Sequence, residues 1–232
     1  MRSGLYRRCD DGGNQSATRE RYNRRMPVAL AVDSLTKRYG SRRVVKSLSF
    51  TATGGEIVTV AGPNGSGKST LLRMIAGLIR PGSGSISLTI DECDCGAPAD
   101  RRRAVGFASP DIAFYPELTG AENLAFFAAV RGRDSTREIG VLLERVGLGK
   151  RGGDPVGVYS SGMRQRLRLA LAMQHAPRVV LLDEPGLALD AGGVAVLGEL
   201  VAEQRRLGNL VVLATNDPAE AAWGDRTVVL GE

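Results

Sequence analysis

Gly62-Pro63-Asn64-Gly65-Ser66-Gly67-Lys68-Ser69 is the stretch that decides the fold class of this chain. It fills every defined position of the pattern G-x-x-x-x-G-K-[ST]. The apolar run Ile57–Ala61 comes before it, and apolar residues at helical spacing come after it. The loop therefore joins a strand to a helix. Small residues let such a loop curl so that successive backbone N–H groups point inward. The helix that starts near Lys68 adds the positive end of its dipole. The result is an anion site suited to nucleotide phosphates. Lys68 is placed to reach the β- and γ-phosphates and the Ser69 hydroxyl to ligate Mg2+, with Gly62, Asn64, Gly65, Ser66, Gly67 and Thr70 completing the binding set.

Upstream of the loop, Val28–Leu35, Val44–Thr51 and Glu56–Ala61 read as strands between turn residues. Downstream, Thr70–Leu78 has a helical rhythm that Pro81-Gly82-Ser83-Gly84 breaks, and Ser85–Ile90 reads as another strand. Helices are expected over Glu122–Val130, Thr136–Val146 with Gly147 as its cap, Ser160–Gln174 with Ser160 as its N-cap, and Val194–Arg206. Val179–Leu182, Leu210–Ala214 and Thr227–Leu230 read as strands. Strands that alternate with helices imply an α/β fold with a largely parallel sheet.

Val179-Val180-Leu181-Leu182-Asp183-Glu184 is a buried strand that ends in two carboxylates. Alone, these would read as ordinary solvated acids. Beside a phosphate-binding loop they gain a role, because open α/β sheets hold ligands at strand ends. Asp183 is expected to hold Mg2+ through water, and Glu184 to polarise an attacking water.

Tyr159-Ser160-Ser161-Gly162-Met163-Arg164-Gln165-Arg166 lies shortly before that strand and opens a helix. It resembles the signature of the ABC ATPases, Leu-Ser-Gly-Gly-Gln followed by a basic helix. The likeness covers nearly all of residues 28–232. Leu35-Thr36-Lys37-Arg38-Tyr39-Gly40 resembles the A-loop, whose aromatic residue stacks on adenine, here Tyr39. Ala188-Leu189-Asp190 is similar to the D-loop, and Tyr115-Pro116-Glu117-Leu118-Thr119 with Glu122-Asn123-Leu124 resembles the start of the helical subdomain that meets a membrane partner. The resemblance implies a P-loop NTPase of the ABC cassette type over residues 28–232. Its parts are a mostly parallel sheet, an N-terminal antiparallel β subdomain and a helical subdomain at about 112–172. It also implies ATP and Mg2+ as ligands and a head-to-tail dimer with a second ATP-binding subunit. In such a dimer Ser160, Ser161, Gly162 and Asp190 serve the opposite nucleotide. An integral membrane permease would be the other partner.

Two positions depart from the family pattern. Ala108-Ser109-Pro110-Asp111, where the Q-loop glutamine belongs, has no Gln, and Asn216 stands where the switch histidine belongs. An amide can still hydrogen-bond a γ-phosphate, but it is neither a cation nor a general acid. Within the signature, Ser161 replaces Gly and Met163 replaces Gln. Lys68, Glu184 and Asn216 are the expected catalytic set. The retained Glu184 favours a transport ATPase, and an ATP-sensing regulatory subunit with little turnover is the alternative. The chain ends just after its last strand, so no C-terminal regulatory domain is expected. In size and general form it resembles compact exporter subunits, such as the haem-export ATPase of cytochrome c maturation.

Charge and composition limit the other classes. The net charge is +6, but seven Arg against three acids give residues 1–27 a charge of +4 and leave +2 for the other 205. The basic character belongs mainly to that tail, so nucleic acid is not the expected partner. Residues 1–27 read as a disordered basic tail or a mis-assigned start, with no signal-peptide h-region. No apolar stretch approaches the roughly 20 residues of a membrane span. Cys9, Cys93 and Cys95 lack the spacing of a zinc site. The expected location is cytoplasmic, on the inner face of the cell membrane.

Overall fold

A computed structural model of the chain describes residues 27–132 and 136–231. The expected tail therefore lies, apart from Pro27, outside the described residues. From Val28 onward strands and helices alternate as expected, in two sheets. One is four-stranded and antiparallel, the other five-stranded with parallel pairs.

The antiparallel sheet has the order β2-β1-β4-β5, built from β1 (Val28–Tyr39), β2 (Arg42–Thr53), β4 (Ser83–Ile90) and the short β5 (Cys93–Asp94). Val28, Leu30 and Val32 alternate inward along β1 with a period of two. The register then shifts between Val32 and Leu35, where Ser34 takes a positive φ of 47°. The shift returns Leu35 to the buried face. β1 runs on to Tyr39, four residues beyond the expected end, so Tyr39 sits at the tip of a hairpin.

The parallel sheet has the order β6-β7-β8-β3-β9, from β3 (Ile57–Ala61), β6 (Val105–Ala108), β7 (Val179–Asp183), β8 (Leu210–Ala214) and β9 (Arg226–Val229). Its central strands are buried on both faces, which is why they read as unbroken apolar runs. Val58, Val60, Leu181 and Val212 point to a core shared with the antiparallel sheet and α1 (Lys68–Ile75). Val180, Leu182, Val211 and Leu213 point to the opposite core. That second core is closed by α3 (Gly120–Val130), α4 (Thr136–Arg145), α5 (Ser161–Met173) and α6 (Ala191–Arg206). Val179, Val180, Leu181 and Leu182 have no exposed surface, and burying each such side chain stabilises by about 1.5–3 kcal/mol. Gly147, at a φ of 74°, ends the segment after α4 as the sequence implied.

The short elements that escape the sequence reading include α2 (Pro98–Ala104), the edge strand β6 and α7 (Pro218–Ala221). β6 pairs in parallel with β7, Val105 with Val179 through Ala108 with Leu182. Gly106 lets it approach α5, for a Cβ there would sit 2.2 Å from the Ala172 carbonyl oxygen. Gly106→Val is expected to overpack this contact and cost about 1–3 kcal/mol. A fall in the urea midpoint at unchanged slope would show it.

Candidate functional site

The loop 62–69 leaves β3 and enters α1 through three glycines with positive φ: Gly62 at 152°, Gly65 at 78° and Gly67 at 107°. Side chains rarely adopt this region, and at Gly67 a Cβ would also lie 2.7 Å from the Val44 carbonyl oxygen. Gly67 is the N-cap of α1 and makes no side-chain capping bond, and no acid occupies the first turn. The helix's first N–H groups are thus left for an anion. The Ser66 hydroxyl, set against Gly62, is buried without a hydrogen-bond partner. The loop therefore fits a nucleotide phosphate chain.

Lys68 is buried, with 5% of its surface exposed. Its ammonium donates to the carbonyls of Gly62 at 2.8 Å and Pro63 at 3.4 Å, and to Asn216 Oδ1 at 2.5 Å. Glu184 Oε1 lies 3.6 Å from it. Asn216 in turn donates through Nδ2 to Asn64 Oδ1, and its backbone N–H donates to Glu184 Oε2 at 3.4 Å. One amide therefore joins the loop 62–69, Lys68 and the end of β7.

Asp183 is buried, and both its oxygens accept hydroxyls: Ser69 Oγ at 2.9 Å and Ser109 Oγ at 3.2 Å. Burial pushes this carboxyl above its ordinary range, and the bonds from Ser69 and Ser109 and the charges of Arg73 and Lys68 only partly oppose that. A buried, under-neutralised carboxylate beside a serine hydroxyl is a donor set that fits a divalent cation. Ser109 occupies the segment that lacks a Gln, and Asp111, two residues on, pairs with Arg73 of α1.

Glu184 follows with a positive φ of 47°, a strained conformation for a side-chain-bearing residue. Three bonds hold it there. Its N–H donates to the Ala214 carbonyl at 2.8 Å, and Gln165 Nε2 donates to the carbonyls of Glu184 at 3.3 Å and Pro185 at 2.8 Å. Gln165 lies within the signature-like segment, but its buried role on this turn carried no signal in the sequence.

The remaining expected residues fall into two further groups. Tyr39 is half-exposed at the hairpin tip, and across the hairpin Arg42 donates to the Gly65 carbonyl at 2.9 Å, which sets the tip beside the loop 62–69. Ser160 caps α5 by accepting from the Met163 N–H at 3.1 Å, as expected. Ser161 is exposed, and Gly162 packs so closely under the Ala188 carbonyl that a Cβ would stand 2.8 Å away. Asp190 caps α6 through the Gly193 N–H at 2.8 Å and binds Arg166 at 2.7 Å; these bonds hold its carboxyl below the usual range. The signature-like segment and the 188–190 loop thus form one unit, tied to the first group by Gln165. Thr70 lies within α1.

The segment 115–124 has a structural explanation of its own. Thr119 and Glu122 form a reciprocal capping box on α3. Buried Asn123 accepts from the Tyr115 N–H at 2.9 Å and donates to the carbonyls of Tyr115, Leu118 and Thr119.

A family model for ABC transporters matches residues 45–186. An ABC transporter ATP-binding protein of Bacillus subtilis (strain 168) is 38% identical over 188 residues, covering 81% of this chain and 61% of that protein. The sulfate/thiosulfate import ATP-binding protein of Mycobacterium tuberculosis (strain ATCC 25618 / H37Rv) is 40% identical over 213 residues, 88% of this chain and 59% of that one. Among solved structures, a dimeric post-hydrolysis ATP-binding cassette bound to ADP and Pi matches with a TM-score of 0.77 at 26% identity, over 87% of this chain and 94% of that one. The chain belongs to the ABC transporter family and carries its ATP-binding domain. It spans less than two thirds of the length of these curated relatives.

The buried charge of Asp183 has a measurable consequence. Its raised pKa means that the ionised form weakens the fold near neutral pH, a penalty that fades as pH falls through the raised value. Asp183→Asn is therefore expected to melt a few degrees higher than the parent at neutral pH without ligand, with the gap closing in acid. The same variant should lose the Mg2+-dependent part of nucleotide affinity. Melting scans and calorimetric titration with and without Mg2+ check both.

Proposed function

We propose that this chain binds Mg-ATP at the loop 62–69 and hydrolyses it to energise a separate membrane permease. The observation that carries this reading is the convergence of Lys68, the Ser69–Asp183 pair and Glu184 at one end of the sheet. Lys68 would exchange Asn216 and two loop carbonyls for phosphate oxygens. Ser69 and Asp183 would hold Mg2+, whose charge offsets that of the β- and γ-phosphates. Glu184, already fixed by three bonds to its turn, would orient a water and accept its proton. Asn216 would then face the γ-phosphate with an amide, and Tyr39 the adenine.

The proposal extends to partners. Exposed Ser160 and Ser161, with Gly162 and Asp190, would complete the nucleotide site of a second ATP-binding subunit in a head-to-tail dimer. A groove of about 370 Å3, lined by Arg73, Leu78, Arg102, Phe107 and Phe127 among others, lies between α1 and the helical layer. With Leu78 half-exposed at its edge, it supports docking of a permease segment there. No helix among the described residues is long and apolar enough to cross a membrane, which suits a peripheral place on the cytoplasmic face. Export, with haem as cargo, is the direction and substrate we assign from likeness of form to the haem-export ATPase. The Mycobacterium relative is named for import, so a transport assay with the cognate permease decides between them.

A second reading, an ATP sensor with little turnover, is favoured by one specific feature. Asn216 clamps Lys68 where the family has a histidine. ATP hydrolysis measured across protein concentrations separates the two. For an enzyme, specific activity is expected to rise with concentration as dimers form. Glu184→Gln should then lower turnover by about 10²-fold or more, and Lys68→Ala should lose ATP binding. Binding without turnover, unchanged by Glu184→Gln, would establish the sensor.

A further inference from the structure

Glu220 is a carboxylate that the mechanism above does not use, and it is almost fully buried, with 4% of its surface exposed. It sits on α7, just beyond the turn that carries Asn216. Its Oε2 accepts the Thr215 hydroxyl at 2.6 Å, and the same hydroxyl oxygen accepts the Asp217 N–H at 3.0 Å. Thr215 and Asp217 flank Asn216. The other side of the carboxylate faces the turn after β7, with Oε1 set against Gly186. The contact is so close that a Cβ on Gly186 would stand 1.7 Å from Glu220 Oε1. Gly186 lies two residues after Glu184, and its own carbonyl accepts the Leu189 N–H at 3.0 Å.

Stability does not explain this placement. The ionised neighbours that act on Glu220 are Asp217 and Glu184, both acidic. Burying a carboxylate with neutral donors and acidic neighbours weakens a fold relative to a neutral side chain of the same shape. What the carboxylate supplies is geometry. It has two acceptor oxygens and no donor, so it can hold an O–H from one turn and an N–H from the other.

We propose that Glu220 is a positioning residue, a buried strut between the Glu184 turn and the Asn216 turn that sets turnover without setting nucleotide affinity. The proposal rests on the hydrolytic reading of the site. An amide in its place weakens both sides: the oxygen that faces one turn loses its charge, and the NH2 group that faces the other can be met only if the Thr215 hydroxyl turns round to accept. The phosphate contacts of the loop 62–69 and α1 do not pass through Glu220. Misplacing a water-orienting group by an ångström costs rate far more than ground-state binding.

The test uses the full chain and compares Glu220→Gln, Thr215→Val and Thr215→Ser with the parent, and Glu184→Gln as the dead control. Turnover, calorimetric Mg-ATP affinity and melting temperature are read for each. Glu220→Gln and Thr215→Val are expected to lower kcat about 10- to 100-fold, with Kd within about twofold of the parent and melting temperature kept or raised. Thr215→Ser should restore kcat. A folded Glu220→Gln with parental kcat, or equal losses in kcat and affinity, would overturn the proposal. If the parent itself does not hydrolyse ATP, the hydrolytic reading fails separately. The strut is then read from backbone amide resonances in the nitrogen-15-labelled chain. Glu220→Gln should shift both Gly186 and Asn216, and a shift of neither, or of one alone, counts against the strut.

Discussion

Parallel pairing of three strands is the constraint on which the site depends. Val60 of β3 and Asp183 of β7 both pair with Ala214 of β8. The three strands therefore end at one level, and the segments that leave them emerge side by side. The loop 62–69, the pair Asp183-Glu184 and the turn Thr215-Asn216 meet only because the hydrogen-bond ladder fixes that register. The ladder is in turn fixed by burial on both faces, since a slip of one residue would exchange the side chains of the two cores.

That edge concentrates strain and charge that the rest of the molecule must offset. Glu184 holds a positive φ, Asp183 and Glu220 are carboxylates pushed up by burial, and the Ser66 hydroxyl lacks a partner. Each of these weakens the isolated chain, and only Asp183 and Glu184 stand where a cation or a water would compensate. The two cores beneath the sheet make such a site affordable.

The chain keeps the family's ATP-binding domain while altering two of its positions. Ser109, in the segment without a glutamine, holds Asp183, and Asn216 bridges Lys68 to Asn64. An amide joins these groups through one donor and one acceptor without titrating in the physiological range. Lys68 itself donates to the carbonyls of Gly62 and Pro63 and to Asn216 Oδ1.

How much was legible in advance follows from how local each signal is. The loop 62–69, the Asp183-Glu184 strand end and the Ser160 cap are contiguous patterns whose chemistry follows from residue type and spacing. The alternation of strands with helices announced a parallel sheet, and the unbroken apolar runs of β7 and β8 fit it because both their faces are buried. β6 went unseen because Val105-Gly106-Phe107-Ala108 is too short for a period, and its glycine answers to the backbone of α5. Ser109, Gln165 and Glu220 gave no signal either. Their partners lie 74, 19 and 5 residues away in sequence, and Glu220 also reaches Gly186 across the sheet edge. The sequence by itself determined the α/β class and the family, and it supplied the residues proposed to address a nucleotide, because each is encoded in a short run. Tertiary structure alone decided which side chains brace those residues and in what strained geometry, because such contacts exist only once non-neighbouring strands have paired.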